Sequence, residues 1–175
     1  MKKRYGNYIG AILHHTTGSE NQTLKDMENI AKAKGYGAVS YNYLIKRDTK
    51  NNQASIKTGR NTYWVGAHTY IENDSKAKKD PLAKGDKNYY NKNWLGIALI
   101  GDYEKNQINS DYLENVIKSI AHIIEVINKK QGQKIKYLRG HREVDNTLCP
   151  GKSVYLKMDY IRDKVSKILG YTLLK

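Results

Sequence analysis

The run Trp94-Leu95-Gly96-Ile97-Ala98-Leu99-Ile100-Gly101 carries no charge and is the most apolar segment of the chain. Eight residues are too few for an amphipathic helix, and glycine closes the run, so it reads as a central strand. A long stretch from about Asp111 to Lys130 follows, in which Leu113, Val116, Ile117, Ile120, Ile124 and Ile127 recur at helical spacing, with Ser110 placed to cap it. A buried strand followed by an amphipathic helix already points to a sheet that helices cover. The remaining elements repeat the alternation. Tyr8 to Leu13 reads as a short buried strand. Thr23 to Lys34 reads as a helix with Leu24, Met27, Ile30 and Ala31 on one face and Gly35 closing it.

Val39 to Arg47 reads as a strand, turned by Asp48-Thr49-Lys50-Asn51-Asn52 into a hairpin partner at Ala54 to Thr58. Ile135 to Leu138 is a further short strand. A last helix over roughly Asp159 to Leu169 buries Ile161, Val165 and Ile168 and stops at Gly170. The lysine-, asparagine- and glycine-rich stretch from Ile71 to Asn93 reads as an exposed excursion. The expected fold is a single α/β domain over residues 1–175, a central mixed β-sheet flanked by helices, with 170–175 as a tail or the start of a linker.

Chemistry concentrates at two places. The first apolar strand stops abruptly on His14-His15-Thr16-Thr17, and the chain's single cysteine, Cys149, follows His141 by eight residues in the run Arg139-Gly140-His141 to Leu148-Cys149-Pro150-Gly151. A thiolate, the imidazole upstream of it and a second imidazole from a distant strand end make a three-ligand zinc site. Three protein ligands leave a fourth position for water, as in zinc hydrolases and unlike closed structural zinc sites. Cys149-Pro150 also sets the thiol just before a proline-fixed turn, which helps aim it. On these residues alone a cysteine nucleophile paired with His141 remains open. Either histidine of the first pair can serve, and His122, within the long helix, reads as structural. Asn93 and Trp94 precede the central strand and are candidates for contact with a glycan or peptide, with core packing as the other reading of Trp94.

Charge narrows the partners. Thirty-one basic against 17 acidic residues give a net charge of +14, a field that favours polyanions such as nucleic acid, an anionic membrane or an acidic wall polymer. No zinc-finger spacing, aromatic-basic RNA motif or recognition helix accompanies it, so nucleic acid is not expected as a partner. No apolar run reaches eighteen residues, so no membrane span is expected. The basic start, Met1 to Asn7, lacks the apolar stretch of a signal peptide. One cysteine rules out an intrachain disulfide framework.

Five blocks in order carry a family resemblance: His14-His15-Thr16; Tyr41-Asn42-Tyr43-Leu44-Ile45 with Lys46-Arg47-Asp48; Val65-Gly66-Ala67-His68; Gly96 to Gly101; and Gly140-His141-Arg142-Glu143-Val144 through Cys149-Pro150-Gly151. Over Tyr8 to Lys167 the chain resembles the zinc-dependent N-acetylmuramoyl-L-alanine amidases, in the subgroup of phage amidase-type lysozymes and peptidoglycan recognition proteins. The resemblance implies Zn2+ held by His14, His141 and Cys149, and it selects His14 over His15. It implies a catalytic Tyr41, a candidate oxyanion donor and, with no glutamate in a matching block, also the candidate general base, and it implies His68 lining the substrate cleft. Two residues before the cysteine some phage members carry a functional lysine and recognition-protein amidases a threonine; this chain has Thr147, a weaker, uncharged donor. The implied activity is hydrolysis of the amide between N-acetylmuramic acid and the L-alanine of the stem peptide, by a monomer. The lack of a signal-peptide pattern leads to the expectation of synthesis in the cytoplasm and action on the wall after holin-dependent or lytic release. Non-catalytic recognition members usually lose the zinc cysteine, so Cys149 separates the two expectations.

Overall fold

The structure, a computed structural model, describes residues 1–71, 80–83 and 85–175. Five strands, β1 (Gly10–His15), β2 (Tyr43–Arg47), β3 (Ala54–Thr58), β4 (Trp94–Leu99) and β5 (Tyr137–Gly140), form one sheet in the order β3-β2-β4-β1-β5. All neighbours are parallel except the β2–β3 hairpin, so the sheet is mixed and β4 occupies its centre. Among the described residues six helices accompany it: α1 (Leu24–Ala33), α2 (Tyr89–Asn93), α3 (Ser110–Gln131), α4 (His141–Val144), α5 (Lys152–Tyr155) and α6 (Met158–Leu169).

Strand side chains alternate between faces, and here the alternation divides the molecule. Ala11, Leu13, Leu95, Ile97, Leu99, Ile45 and Leu138 meet α3 and α6 in the main apolar cluster. The opposite face holds two smaller clusters. One gathers Ile12 and Trp94 with Ile71, Ala83, Tyr90 and Val144; the other gathers Leu44 and Ala98 with Met27, Val39 and Ile100. Between these clusters the sheet carries His14 and Gly96, and there the chain leaves room for chemistry.

Several expectations change in detail. Asn109, not Ser110, caps α3: its carboxamide oxygen accepts the Asp111 and Tyr112 amides, and Ser110 is already the first helical residue. Tyr41 lies just before β2, which begins at Tyr43. Ile168 is 55% exposed, because α6 turns Ile161 and Val165 inward and Ile168 outward. Ile30 is exposed on α1 for the same reason of phase. The described part of the Ile71 to Asn93 tract is not an exposed excursion: it forms α2, and Ile71, Ala83, Tyr90 and Asn91 are buried. Residues 72–79 and 84 of that tract lie outside the described residues. Residues 170–175 run back along β5, where Leu173 is buried and the Leu174 carbonyl accepts the Leu138 amide. Among the described residues no helix is long and apolar enough to cross a membrane.

Candidate active site

Alternation along β1 separates the two adjacent histidines. His14 faces the side of Gly96, whereas His15 turns to the opposite side, where its Nδ1 accepts the Tyr103 amide at 3.1 Å. Only His14 joins the cluster. The His14, His141 and Cys149 ligand atoms all lie within 4.8 Å of one another, and His14 Nδ1 stands 3.5 Å from Cys149 Sγ. A tetrahedral zinc with a nitrogen ligand at 2.0–2.1 Å and a sulfur at 2.3 Å sets those two atoms about 3.5 Å apart, so the spacing suits the ion.

Each ligand is held by local structure. His141 opens α4 directly after β5, and the Glu143 carboxylate accepts the Gly140 amide at 2.8 Å, fixing the entry of that turn. Glu143, its side chain 3% exposed, also pairs with Arg162 of α6 at 2.9 Å. The Cys149 loop is tied at both ends. Arg142 donates to Glu104 at 2.9 Å and to the Leu148 carbonyl, and Glu104 accepts the Lys152 amide. Gly151 has a positive φ, and a Cβ there would lie 2.3 Å from the Tyr103 carbonyl carbon, so only glycine lets the loop close against residues 103–104. The Cys149-Pro150 peptide is cis. The His15 amide donates to Cys149 Sγ at 3.4 Å, and the Thr147 hydroxyl accepts the Cys149 amide at 3.2 Å.

The donor set is electrostatically unsatisfied by itself. Burial, reinforced by His141, His68 and His15, holds His14 well below the ordinary 6.5, so its ring is neutral at physiological pH. Burial pushes the Cys149 thiol up from 9.0 to about 12. His141 Nε2 is buried with no hydrogen bond among the described residues, 3.7 Å from the Asp145 carboxylate. Converging lone pairs and a thiol with little else to stabilise its anion are what a divalent cation would complete, so the residues fit zinc.

Tyr41 stacks obliquely on His14 with ring centroids 5.1 Å apart. Burial, then the neighbouring Cys149, raises its phenol above the ordinary 10. The loop bearing it is anchored by Arg60, which donates to the carbonyls of Val39 (3.0 Å), Tyr36 (2.8 Å) and Ala38 (3.0 Å). His68 is 7% exposed and lies behind His14: its Nδ1 is 3.2 Å from His14 Nε2 and its Nε2 is 3.1 Å from the Trp94 carbonyl. Burial lowers His68 from 6.5 to about 3.

The structure thus brings together His14, His141, Cys149, Tyr41 and His68, with Thr147 on the cysteine loop. Asn93 and Trp94 stand apart. They sit at the N-terminal end of β4, where Trp94 pairs with Gly10 while His14 pairs with Ala98. Trp94 is fully buried, stacked on Tyr137 under the Arg139 guanidinium, so its indole is core and offers no surface to a glycan. The Asn93 carboxamide donates to the Tyr89 carbonyl within α2. Three further residues support the site: Arg60, Asn42, whose Oδ1 accepts the Gly96 amide at 2.9 Å, and Asn91, whose Oδ1 accepts both the His68 and Thr69 amides. The sequence marks Asn42 only as part of the Tyr41-Asn42-Tyr43 block, and nothing local marks Arg60 or Asn91, because each acts across the fold.

Comparison with known proteins places the chain in a family. Residues 5–152 match the N-acetylmuramoyl-L-alanine amidase family. The chain belongs to that family. It is 29% identical over 161 residues to peptidoglycan-recognition protein SC1a of Drosophila melanogaster, covering 86% of this chain and 72% of the relative. It is 26% identical over 136 residues to the endolysin of Escherichia phage T7, covering 77% of this chain and 74% of the relative. The fold is that of the solved endolysin N-acetylmuramoyl-L-alanine amidase LysCS from Clostridium intestinale, with a TM-score of 0.62 at 22% identity over 95% of this chain and 86% of that one. The chain therefore shares its family with both endolysins and peptidoglycan-recognition proteins, and Cys149 and Tyr41 bear on which kind it is.

Proposed function

We propose that this member of the family is a zinc-dependent peptidoglycan hydrolase of the lysin type. It cleaves the amide between the lactyl group of N-acetylmuramic acid and the L-alanine of the stem peptide. The observation that carries the reading is the convergence of His14, His141 and Cys149, with Nδ1 and Sγ 3.5 Å apart. Bound zinc supplies charge that acidifies a coordinated water and polarises a carbonyl. The chain supplies the rest. Tyr41, whose phenol stays protonated at neutral pH, donates a hydrogen bond to the oxygen that gains charge as the amide carbonyl is attacked. The same raised pKa makes it a poor base, so its role is that of a donor. Thr147 accepts the Cys149 amide through its oxygen and keeps its own proton to donate toward the same oxygen.

The likeness to insect recognition proteins favours a second reading, a wall-binding module without catalysis. The complete ligand triad and Tyr41 support the hydrolase. A net charge of +14 supports an anionic wall polymer as an additional partner of a monomeric 1–175 domain; binding to such walls should weaken as salt rises. Mass spectrometry of digested peptidoglycan tests the activity. New L-alanine amino termini with intact glycan strands support the amidase, whereas cut glycan or a cut crosslink, or no cleavage with retained binding, refutes it.

A further inference from the structure

We propose that His68 is a positioning residue which fixes the tautomer of His14, rather than a residue that touches substrate. The inference rests on the metal site of the proposed function and assigns one of its supports. A line of groups runs across the sheet face from the Trp94 carbonyl through His68 to His14. A carbonyl oxygen only accepts, so the proton at the 3.1 Å contact belongs to His68 Nε2. A neutral ring protonated there leaves Nδ1 as an acceptor. The 3.2 Å contact between His68 Nδ1 and His14 Nε2 then requires the proton of His14 to sit on its Nε2. The His14 Nδ1 lone pair is left free, and this is the atom that stands 3.5 Å from Cys149 Sγ. The opposite tautomer of His14 would set two lone pairs against each other behind the ring and a proton where the metal belongs.

The position of His68 is built. Its ring lies in a slot floored by two glycines: a Cβ on Gly96 would lie 2.6 Å from the imidazole, and one on Gly66 2.7 Å from it. The Asn91 carboxamide clamps the backbone of His68 at 2.8 Å and of Thr69 at 2.9 Å, and the Thr69 hydroxyl also reaches His68 Nδ1 at 3.1 Å. Both ring nitrogens are engaged and the residue is 7% exposed, so neither ring nitrogen is left for a glycan or peptide. Partners behind a metal-bound histidine set its orientation and basicity, and their loss typically lowers metal affinity about 10–100-fold.

The test compares zinc affinity, by competition with a chromophoric chelator, for the wild-type chain, His68→Leu, which fills the slot without an acceptor, and His68→Asn, whose carboxamide oxygen can replace Nδ1. The expected result is an affinity loss of about 10–100-fold for His68→Leu, with His68→Asn recovering most of it. A long-range 1H–15N spectrum of metal-free wild-type protein should place the His14 proton on Nε2, and this readout stands even if a variant fails to fold. A folded His68→Leu protein that binds zinc as the wild type does, or a His14 proton found on Nδ1, overturns the inference and leaves the proposed function intact. A wild-type chain that takes up no zinc overturns both.

Discussion

Replacing Glu143 by alanine should be among the most damaging single changes away from the ligands. The Glu143 side chain is 3% exposed and takes four contacts: the Gly140 amide at 2.8 Å, Arg162 Nη2 at 2.9 and 3.1 Å, and Lys175 at 3.1 Å. In Glu143→Ala, Arg162 keeps the Leu138 carbonyl and Asp159, whose side chain is 90% exposed and therefore compensates little. Stranding one partner of a buried pair costs about 3–5 kcal/mol, a large share of the roughly 5–15 kcal/mol that holds a domain together. At about 2–4 °C per kcal/mol for a chain of this size, Tm should fall by roughly 6–20 °C. Equilibrium denaturation of the metal-free protein measures the loss. The double variant Glu143→Ala/Arg162→Met, which removes both charges, should recover most of it, because the cost lies in the stranded charge. A Glu143→Ala protein within about 0.5 kcal/mol of wild type, a change ordinary at exposed positions, or a double variant no more stable than the single one, refutes the reasoning.

Further outcomes follow from the same geometry. Tyr41→Phe should bind zinc normally yet lose about a hundred- to a thousandfold in amide hydrolysis, the usual cost of one oxyanion donor; unchanged turnover would remove Tyr41 from the mechanism. Gly96→Ala should destabilise the fold by about 1–3 kcal/mol through overpacking and weaken zinc binding, because the new methyl would occupy the His68 ring position; denaturation and chelator competition measure the two effects. The metal-free protein should lose stability as pH falls. His68 drops from 6.5 to about 3 on folding and His14 also falls well below 6.5, so between those values the unfolded chain binds protons that the folded one does not. The contribution is whole above pH 6.5 and declines below it by about 1.4 kcal/mol per pH unit for each ring; stability that stays flat from pH 7 to 4.5 would contradict the buried neutral histidines.

What could be read from the sequence was what local pattern encodes. The apolar run at β4, the helical spacing of α3 and the Ala54–Thr58 hairpin arm carry their periods on their faces. The Cys149 block carries its own turn, whereas the choice of His14 over His15 rests on the family resemblance alone and acquires its physical reason, their opposite faces, only from the placed strand. Long-range burial stayed hidden. The roles of Arg60, Asn42 and Asn91 could not be read locally because their partners, the 36–39 carbonyls, the Gly96 amide and the His68 backbone, lie in distant segments. Helix α2 was concealed in a lysine- and asparagine-rich tract because only Tyr90 and Asn91 turn inward there. The chemistry of His68 was visible, but its place behind His14 depends on two glycines in separate elements leaving room for a ring.

The central claim is that His14, His141 and Cys149 hold a zinc ion that this chain uses to hydrolyse the wall amide. It is tested most directly by stripping the protein of metal, titrating zinc back, and following both bound metal and release of L-alanine amino termini from purified peptidoglycan. The account predicts one zinc per chain, activity that returns in step with it, and loss of both in Cys149→Ala. Activity that survives in the metal-free chain, or a Cys149→Ala protein that still binds zinc and cleaves at the wild-type rate, would contradict it.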